Sequence, residues 1–286
     1  IDEKRSVWDL SPAAQKLPAA TYRLAGDTAG PAGLGWLLAQ YKFDRFLSKA
    51  DTAGDRILLV SEPGIIVDQV RQAEATAMVR DLVNTPAADL GPAGLQAAAE
   101  ALGTEFEATV HVTKGHELEV GYPMIHAVGQ AAEKHRAPRL IELVWGNPKH
   151  PRVAVIGKGV AFDTGGLNIK TGPYMRLMKK DMGGAAHALA LARLVMEARL
   201  PVHLHLLIPA VENAVAGNAM RPGDVLKSRK GLTVEIDNTD AEGRLILGDA
   251  LAKAGEDKPE LMVDFATLTG AARVALGPDL PALFAN

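Results

Sequence analysis

From residue 84 onward, short apolar runs alternate with longer stretches of helical spacing, and that alternation restricts the architecture more than any other feature. The strand candidates are 108–113, 125–129, 140–145, 153–157, 202–208, 232–236 and 261–265, while helical spacing fills 91–102, 184–199 and 242–254. Two periodicities taking turns predict an α/β fold, with a mixed, largely parallel sheet flanked by helices. Upstream, residues 1–66 mix short apolar pieces with Pro, Gly and Ala and end on a strand candidate at 56–60. Val70, Ala73, Ala77, Val79 and Leu82 then repeat at helical spacing, and Pro86 restricts Thr85 enough to end that helix. The expected organisation is a small, shortened α/β domain over 1–66, a connecting helix over 67–83 and a larger domain over 84–286.

Composition narrows the chemistry by exclusion. With 286 residues, 48% of them hydrophobic and 23% charged, the chain can build a substantial core. Cysteine is absent, which removes thiol nucleophiles, thiolate–zinc sites, iron–sulfur ligation and disulfides, and fits a cytoplasmic protein. No stretch has the length and apolarity of a membrane span, so no membrane partner is expected. A net charge of −3 and a pI near 6.3 give no reason to expect nucleic acid as a partner. The basic cluster Lys227-Ser228-Arg229-Lys230 reads as a solvated turn. The opening at Ile1 has no Met and no signal-peptide character, so a trimmed start is expected.

Ligands of such sheets bind beyond the carboxyl ends of the strands. Three polar clusters fall there: 158–163 after Gly157, 237–244 after Ile236 and 267–270 after Phe265. The first sets Lys158 and Asp163 among glycines, with Lys170 just beyond, and lacks the residue order of a phosphate loop. The second carries Asp240 and Glu242, two apart, so that on extended backbone they point the same way. Buried like charges are costly without a cation, and a divalent ion suits such oxygens. A helix N-terminus with acidic caps accommodates the same residues, and a plain N-cap explains Asp181 as readily as a metal does. Taken together, Asp163, Asp181, Asp240 and Glu242 match the complement of a two-metal site with a water between the ions as nucleophile. In such a site Lys158 serves as a neutral ligand and Lys170 as a charged electrophile. His203 and His205 share one strand face, but with no third ligand evident they read as packing or surface.

At this point the chain resembles the leucyl (cytosol) aminopeptidases, a family of di-metal exopeptidases. Asn-Thr-Asp-Ala-Glu-Gly-Arg-Leu at 238–245 matches that family's diagnostic string. Gly-Lys-Gly-Val-Ala-Phe-Asp at 157–163, Lys-Lys-Asp-Met-Gly-Gly at 179–184, Arg-Pro-Gly-Asp at 221–224 and Ala-Thr-Leu-Thr-Gly at 266–270 are similar to further family blocks, in family order. The resemblance runs from about residue 67 to residue 286.

The resemblance implies removal of N-terminal residues from peptides, with preference for apolar, leucine-like side chains. It implies two divalent ions per subunit, zinc or manganese first and magnesium or cobalt as substitutes. Asp163, Asp240 and Glu242 would hold one ion, and Lys158, Asp163, Asp181 and Glu242 the other. Lys170 would polarise the scissile carbonyl, and Arg244 would hold a bicarbonate acting as general base. Met178, Asn238, Thr267, Leu268 and Gly270 would line an apolar pocket for the first side chain. The substrate's free amine would complete the second ion's shell, which favours exopeptidase over endopeptidase cleavage. A cytoplasmic homo-hexamer is implied as well. The family's catalytic domain continues well past the position matching Asn286, so a longer polypeptide is expected. Two other readings remain open from the residues alone: a two-metal phosphoesterase, and a non-catalytic binding module able to contact DNA.

Overall fold

Five of the seven predicted strands enter one six-stranded sheet. The computed structural model describes residues 5–25, 28–49, 54–61 and 63–285. Its strands are β1 (Ala20–Arg23), β2 (Arg56–Leu59), β3 (Thr109–Lys114), β4 (Arg139–Trp145), β5 (Arg152–Gly157), β6 (Gly159–Asp163), β7 (His203–Asn213), β8 (Val225–Lys227), β9 (Thr233–Glu235) and β10 (Leu261–Phe265). The helices are α1 (Ser11–Lys16), α2 (Ala32–Leu38), α3 (Pro63–Asn84), α4 (Pro92–Phe106), α5 (His116–Gly121), α6 (Pro123–Gly129), α7 (Gly172–Met175), α8 (Gly183–Glu197), α9 (Glu242–Glu256) and α10 (Ala271–Leu276).

The main sheet has the order β10-β5-β7-β4-β3, with β6 also paired to β7. Strands β10, β5, β6 and β7 pair in parallel, β4 runs against β7, and β3 runs against β4. Only β4 therefore opposes the common direction, which makes the sheet mixed and largely parallel as expected. Alternate side chains feed two cores. Ile141, Leu143, Val155, Leu204 and Leu206 pack with residues of α4 and α8 on one face. Leu140, Ala154, Ile156 and Leu207 pack with residues of α6 and α9 on the other.

Strand β7 outruns its prediction, which stopped at Ile208 before Pro209. Its partner on one flank is β5 as far as Leu207 and β6 from Ala210 onward. The proline falls where that ladder changes hands, so its missing donor costs little.

Three expectations are corrected. Residues 125–129, read as a strand, form most of α6: Pro123 opens the helix, and a short apolar run does not declare its own period. The run at 232–236 contributes β9, which pairs with β8 in a separate two-stranded hairpin rather than in the main sheet. Residues 159–163, read as a polar loop, are strand β6.

Within residues 1–66, β1 and β2 pair in parallel. A small separate core gathers Leu10, Ala14, Ala29, Ala32 and Trp36. Trp36 Nε1 donates to the Arg56 carbonyl at 2.8 Å, tying α2 to β2. Residues 1–4, 26–27, 50–53 and 62 of that expected domain lie outside the described residues. Helix α3 begins four residues earlier than predicted and packs on both α2 and α8. Among the described residues no helix is long and apolar enough to cross a membrane.

Candidate functional site

The junction between β5 and β6 carries Lys158, and it sits where three elements meet. Lys158 N donates to the Phe265 carbonyl at the end of β10, at 2.9 Å, and the Lys158 carbonyl accepts from Ala185 N in the first turn of α8, at 2.8 Å. Asp163 ends β6, Asp181 lies in the 3-10 turn that leads into α8, and Glu242 is the first residue of α9. All of these lie at or beyond the carboxyl ends of parallel strands, where such sheets bind ligands.

Asp163, Asp181 and Glu242 each bring one carboxylate oxygen to a group whose members lie within 4.8 Å of one another, and all three are buried. Lys158 Nζ threads among them, 2.8 Å from Asp181 Oδ2 and 3.0 Å from Glu242 Oε1. Lys170 Nζ lies 2.9 Å from Asp163 Oδ2 and also pairs with Asp240. Asp240 is therefore attached to the cluster through Lys170 rather than being one of its three converging oxygens. The extended-backbone expectation for Asp240 and Glu242 fails for this reason: Asp240 sits in a turn and Glu242 opens a helix. The Glu242 side chain is fully enclosed, while that of Asp240 is 30% exposed.

Four carboxylates against three ammonium groups, counting partly exposed Lys180 at 3.5 Å from Asp181 Oδ1, leave the cluster more negative than positive. Burial pushes the Glu242 carboxyl up to about 7; Lys158 pulls it down, but Asp163 and Asp181 push it further up. Burial works against the Lys158 ammonium, yet Asp181 and Glu242 outweigh it and raise its pKa. Lys170 is likewise raised against its burial, by Asp240 and Asp163. With no cation between these carboxylates, Lys158 carries its proton. A bound cation would have to displace its proton.

Hydrogen bonds orient the carboxylates. Asp163 Oδ1 accepts from Gly165 N at 2.9 Å and from Asn213 Nδ2 at 2.8 Å. Asp181 Oδ1 accepts from Thr267 Oγ1 at 2.7 Å. Asp181 Oδ2 is buried and its one close cationic partner is the Lys158 ammonium at 2.8 Å, the position a bound cation would contest. The donor set, several carboxylate oxygens and an amine, fits a hard or borderline divalent ion.

The remaining expected residues surround this cluster unevenly. Thr267 touches Asp181 directly, and half-buried Met178 starts the turn that carries Asp181. Leu268 and Gly270 are exposed beyond β10, Asn238 is exposed and caps Asp240 N at 2.8 Å, and Arg244 is exposed on the first turn of α9. Two further residues went unassigned in the sequence. Asn213, at the end of β7, bridges Asp163 and the Thr239 carbonyl. Thr239, fully buried, binds the loop that presents Lys170. Their signal was position alone: Asn213 follows the β7 run, and Thr239 sits inside the densest motif.

Close packing at Gly243 keeps Lys158 in place. A Cβ there would lie 2.7 Å from Lys158 Cε and 2.8 Å from its Nζ. These atoms are the flexible end of a side chain, so the lysine tip would shift to admit the methyl. Gly243→Ala is expected to keep its stability, since alanine favours helix by up to about 1 kcal/mol. The displaced amine should cut metal affinity about 10- to 100-fold, read by metal titration beside thermal melting.

Other clusters are accounted for separately. His205 lies 3.1 Å from Glu142 and 3.5 Å from Asp257, partners that strand spacing could not reveal. They line a cavity of about 440 Å³ with His111, His203 and Arg152, at the amino ends of β5 and β7, away from the carboxylate cluster. In the basic cluster, the Arg229 guanidinium pairs with Glu256 at 2.7 Å and lies 4.5 Å from the Tyr122 ring centre. That residue is packed rather than solvated.

A parallel-centred α/β sheet with buried acidic and lysine side chains at its carboxyl ends is the frame of one known class, and comparison with known proteins identifies it. Residues 77–286 match the model of the cytosol aminopeptidase family, catalytic domain. The chain belongs to that family. A probable cytosol aminopeptidase of Rhodococcus erythropolis is 43% identical over 268 residues, which cover 88% of this chain and 53% of that protein. The crystal structure of the cytosol aminopeptidase from Coxiella burnetii is 46% identical, with a TM-score of 0.89 over 96% of this chain and 60% of that one. The bottromycin maturation enzyme BotP, solved in complex with Mn, is 34% identical, with a TM-score of 0.85 over 96% of this chain and 63% of that one. The chain spans about half the length of the relatives it matches.

Proposed function

We propose that this protein is a metal-dependent aminopeptidase that removes apolar, leucine-like N-terminal residues from peptides. The observation that carries the reading is the convergence of buried Asp163, Asp181 and Glu242 around Lys158. Family membership and a neighbour solved with Mn support it.

Lys158, Asp163, Asp181 and Glu242 would hold one divalent ion, and Asp163, Glu242 and Asp240 a second, zinc or manganese before magnesium or cobalt. When bound, such ions supply Lewis acidity and a water acidified enough to attack at neutral pH. The chain's own residues do the rest. Lys170, a cation held between Asp163 and Asp240, would stabilise negative charge on the scissile carbonyl oxygen. Arg244, exposed at the start of α9, would retain a bicarbonate as proton acceptor. Met178, Asn238, Thr267, Leu268 and Gly270 would contact the first side chain. A homo-hexamer acting on peptides in the cytoplasm, with residues 1–66 and 84–286 as separate domains joined by α3, completes the reading.

Turnover of leucine p-nitroanilide beside an aryl phosphate tests it. Hydrolysis of the anilide alone is expected, lost on treatment with a chelator and restored by manganese or zinc. Phosphate-ester hydrolysis, or anilide turnover unaffected by the chelator, would overturn the assignment.

A further inference from the structure

We propose that Thr239 and Asn168 form a clasp that positions Lys170, an inference that rests on the role given to Lys170 above. Lysine carries about 2 kcal/mol of rotamer entropy, so a precisely placed ammonium needs a firmly held backbone. Lys170 ends a loop that leaves β6 at Asp163, turns through two glycines of positive φ, Gly165 and Gly166, and closes where Lys170 N donates to the Thr164 carbonyl at 2.9 Å. Nothing in that loop is regular secondary structure.

The opposite loop, ahead of α9, holds it at two points. Thr239 N donates to Asn168 Oδ1 at 2.8 Å, and Asn168 N donates to Thr239 Oγ1 at 2.8 Å. The Thr239 hydroxyl spends its proton on the Gly165 carbonyl at 2.7 Å. One buried hydroxyl thereby joins both ends of the loop, as donor at Gly165 and as acceptor at Asn168. The Thr239 carbonyl accepts from Asn213, which also binds Asp163, and Asp163 pairs with Lys170. Lys170 and its carboxylate partner are thus registered against each other through Thr239. Thr239 and Asn168 are positioning residues: neither is among the side chains that face the converging oxygens.

Valine copies the shape of threonine without its hydrogen bonds, and serine keeps the hydroxyl. In the full-length protein, Thr239→Val is expected to lower kcat for leucine p-nitroanilide about 10- to 100-fold. KM and bound metal should stay within about twofold, because the ion-holding carboxylates are untouched. Thr239→Ser should retain kcat within about threefold. Asn168→Ala, at an exposed position that does not threaten folding, should repeat the kcat loss, and the double variant should be no worse than the poorer single. Hydrogen exchange of the 164–170 amides should quicken in the Val and Ala variants and not in the Ser variant, which reads the clasp without any activity. A native kcat with faster exchange would refute the positioning role. Unchanged exchange would refute the clasp. Loss of metal in all three variants would make Thr239 a purely structural residue. Should the unaltered protein cleave no peptide, the functional assignment falls while exchange still judges the clasp.

Discussion

Glu242→Ala is expected to abolish peptide hydrolysis, by on the order of 10³-fold or more in kcat/KM, together with most of the bound metal. Glu242 is the one carboxylate in the cluster that contacts Lys158, shares the converging oxygens with both Asp163 and Asp181, and begins a helix whose positive end favours its charge. Its carboxyl is nevertheless pushed up to about 7, by burial above all. Its removal breaks the ion pair with Lys158 but also relieves repulsion from Asp163 and Asp181, and the two effects oppose each other in the fold. The variant should melt near the unaltered protein when both are metal-free, and should lack the stabilisation that added zinc or manganese gives the latter. Elemental analysis, anilide turnover and paired melting curves check this. A fully active, metal-replete Glu242→Ala protein would sink the proposed function.

Gly184→Ala should damage the fold itself. A Cβ at this position would stand 2.1 Å from the Phe265 carbonyl oxygen and 2.9 Å from Lys158 N. Both are backbone atoms of strand ends and have no rotamer by which to yield. Helix α8 would have to lift from the sheet, breaking the 2.8 Å bond from Ala185 N to the Lys158 carbonyl. Its apolar face, including Ala185, Ala188, Leu189 and Ala192, would lose close packing with the core. A cost of about 3 kcal/mol is expected, seen as a thermal midpoint lower by roughly 6–12 °C. The contrast with Gly243→Ala is informative. There the added methyl meets only a side-chain tip, so metal affinity should suffer and stability should not. Native melting of Gly184→Ala would show that α8 does not rest on β5 and β10 this tightly.

Several elements were legible in the sequence because their signal is local. Runs such as 140–145 and 261–265 were recognisable as strands, and the helices at 91–102, 184–199 and 242–254 carried their own period. The run at 125–129 misled, since a short, mostly apolar run packs equally well in a helix that buries against α9. Strand β6 was hidden by Gly159, by the adjacent Lys158 and by Asp163, which read as a loop until the pairing of Gly159, Val160 and Asp163 with β7 accounts for the backbone. At the site, the same four acidic residues and two lysines stood out in sequence, but not their pairing. That Lys158 belongs with Asp181 and Glu242, and Lys170 with Asp163 and Asp240, follows from which strand ends and helix starts lie side by side.

The sequence by itself determined the family, through five blocks in order, and with it the class of sheet and the set of ionisable residues. These are properties of residue type and spacing along the chain, and they survive without coordinates. Only the tertiary structure decided that three of the four carboxylates converge while Asp240 joins through a lysine, that Asn213 and Thr239 link the two loops, and that Gly184 and Gly243 must stay small. Each of those depends on contacts between residues dozens of positions apart, and distance in space is not written in local periodicity.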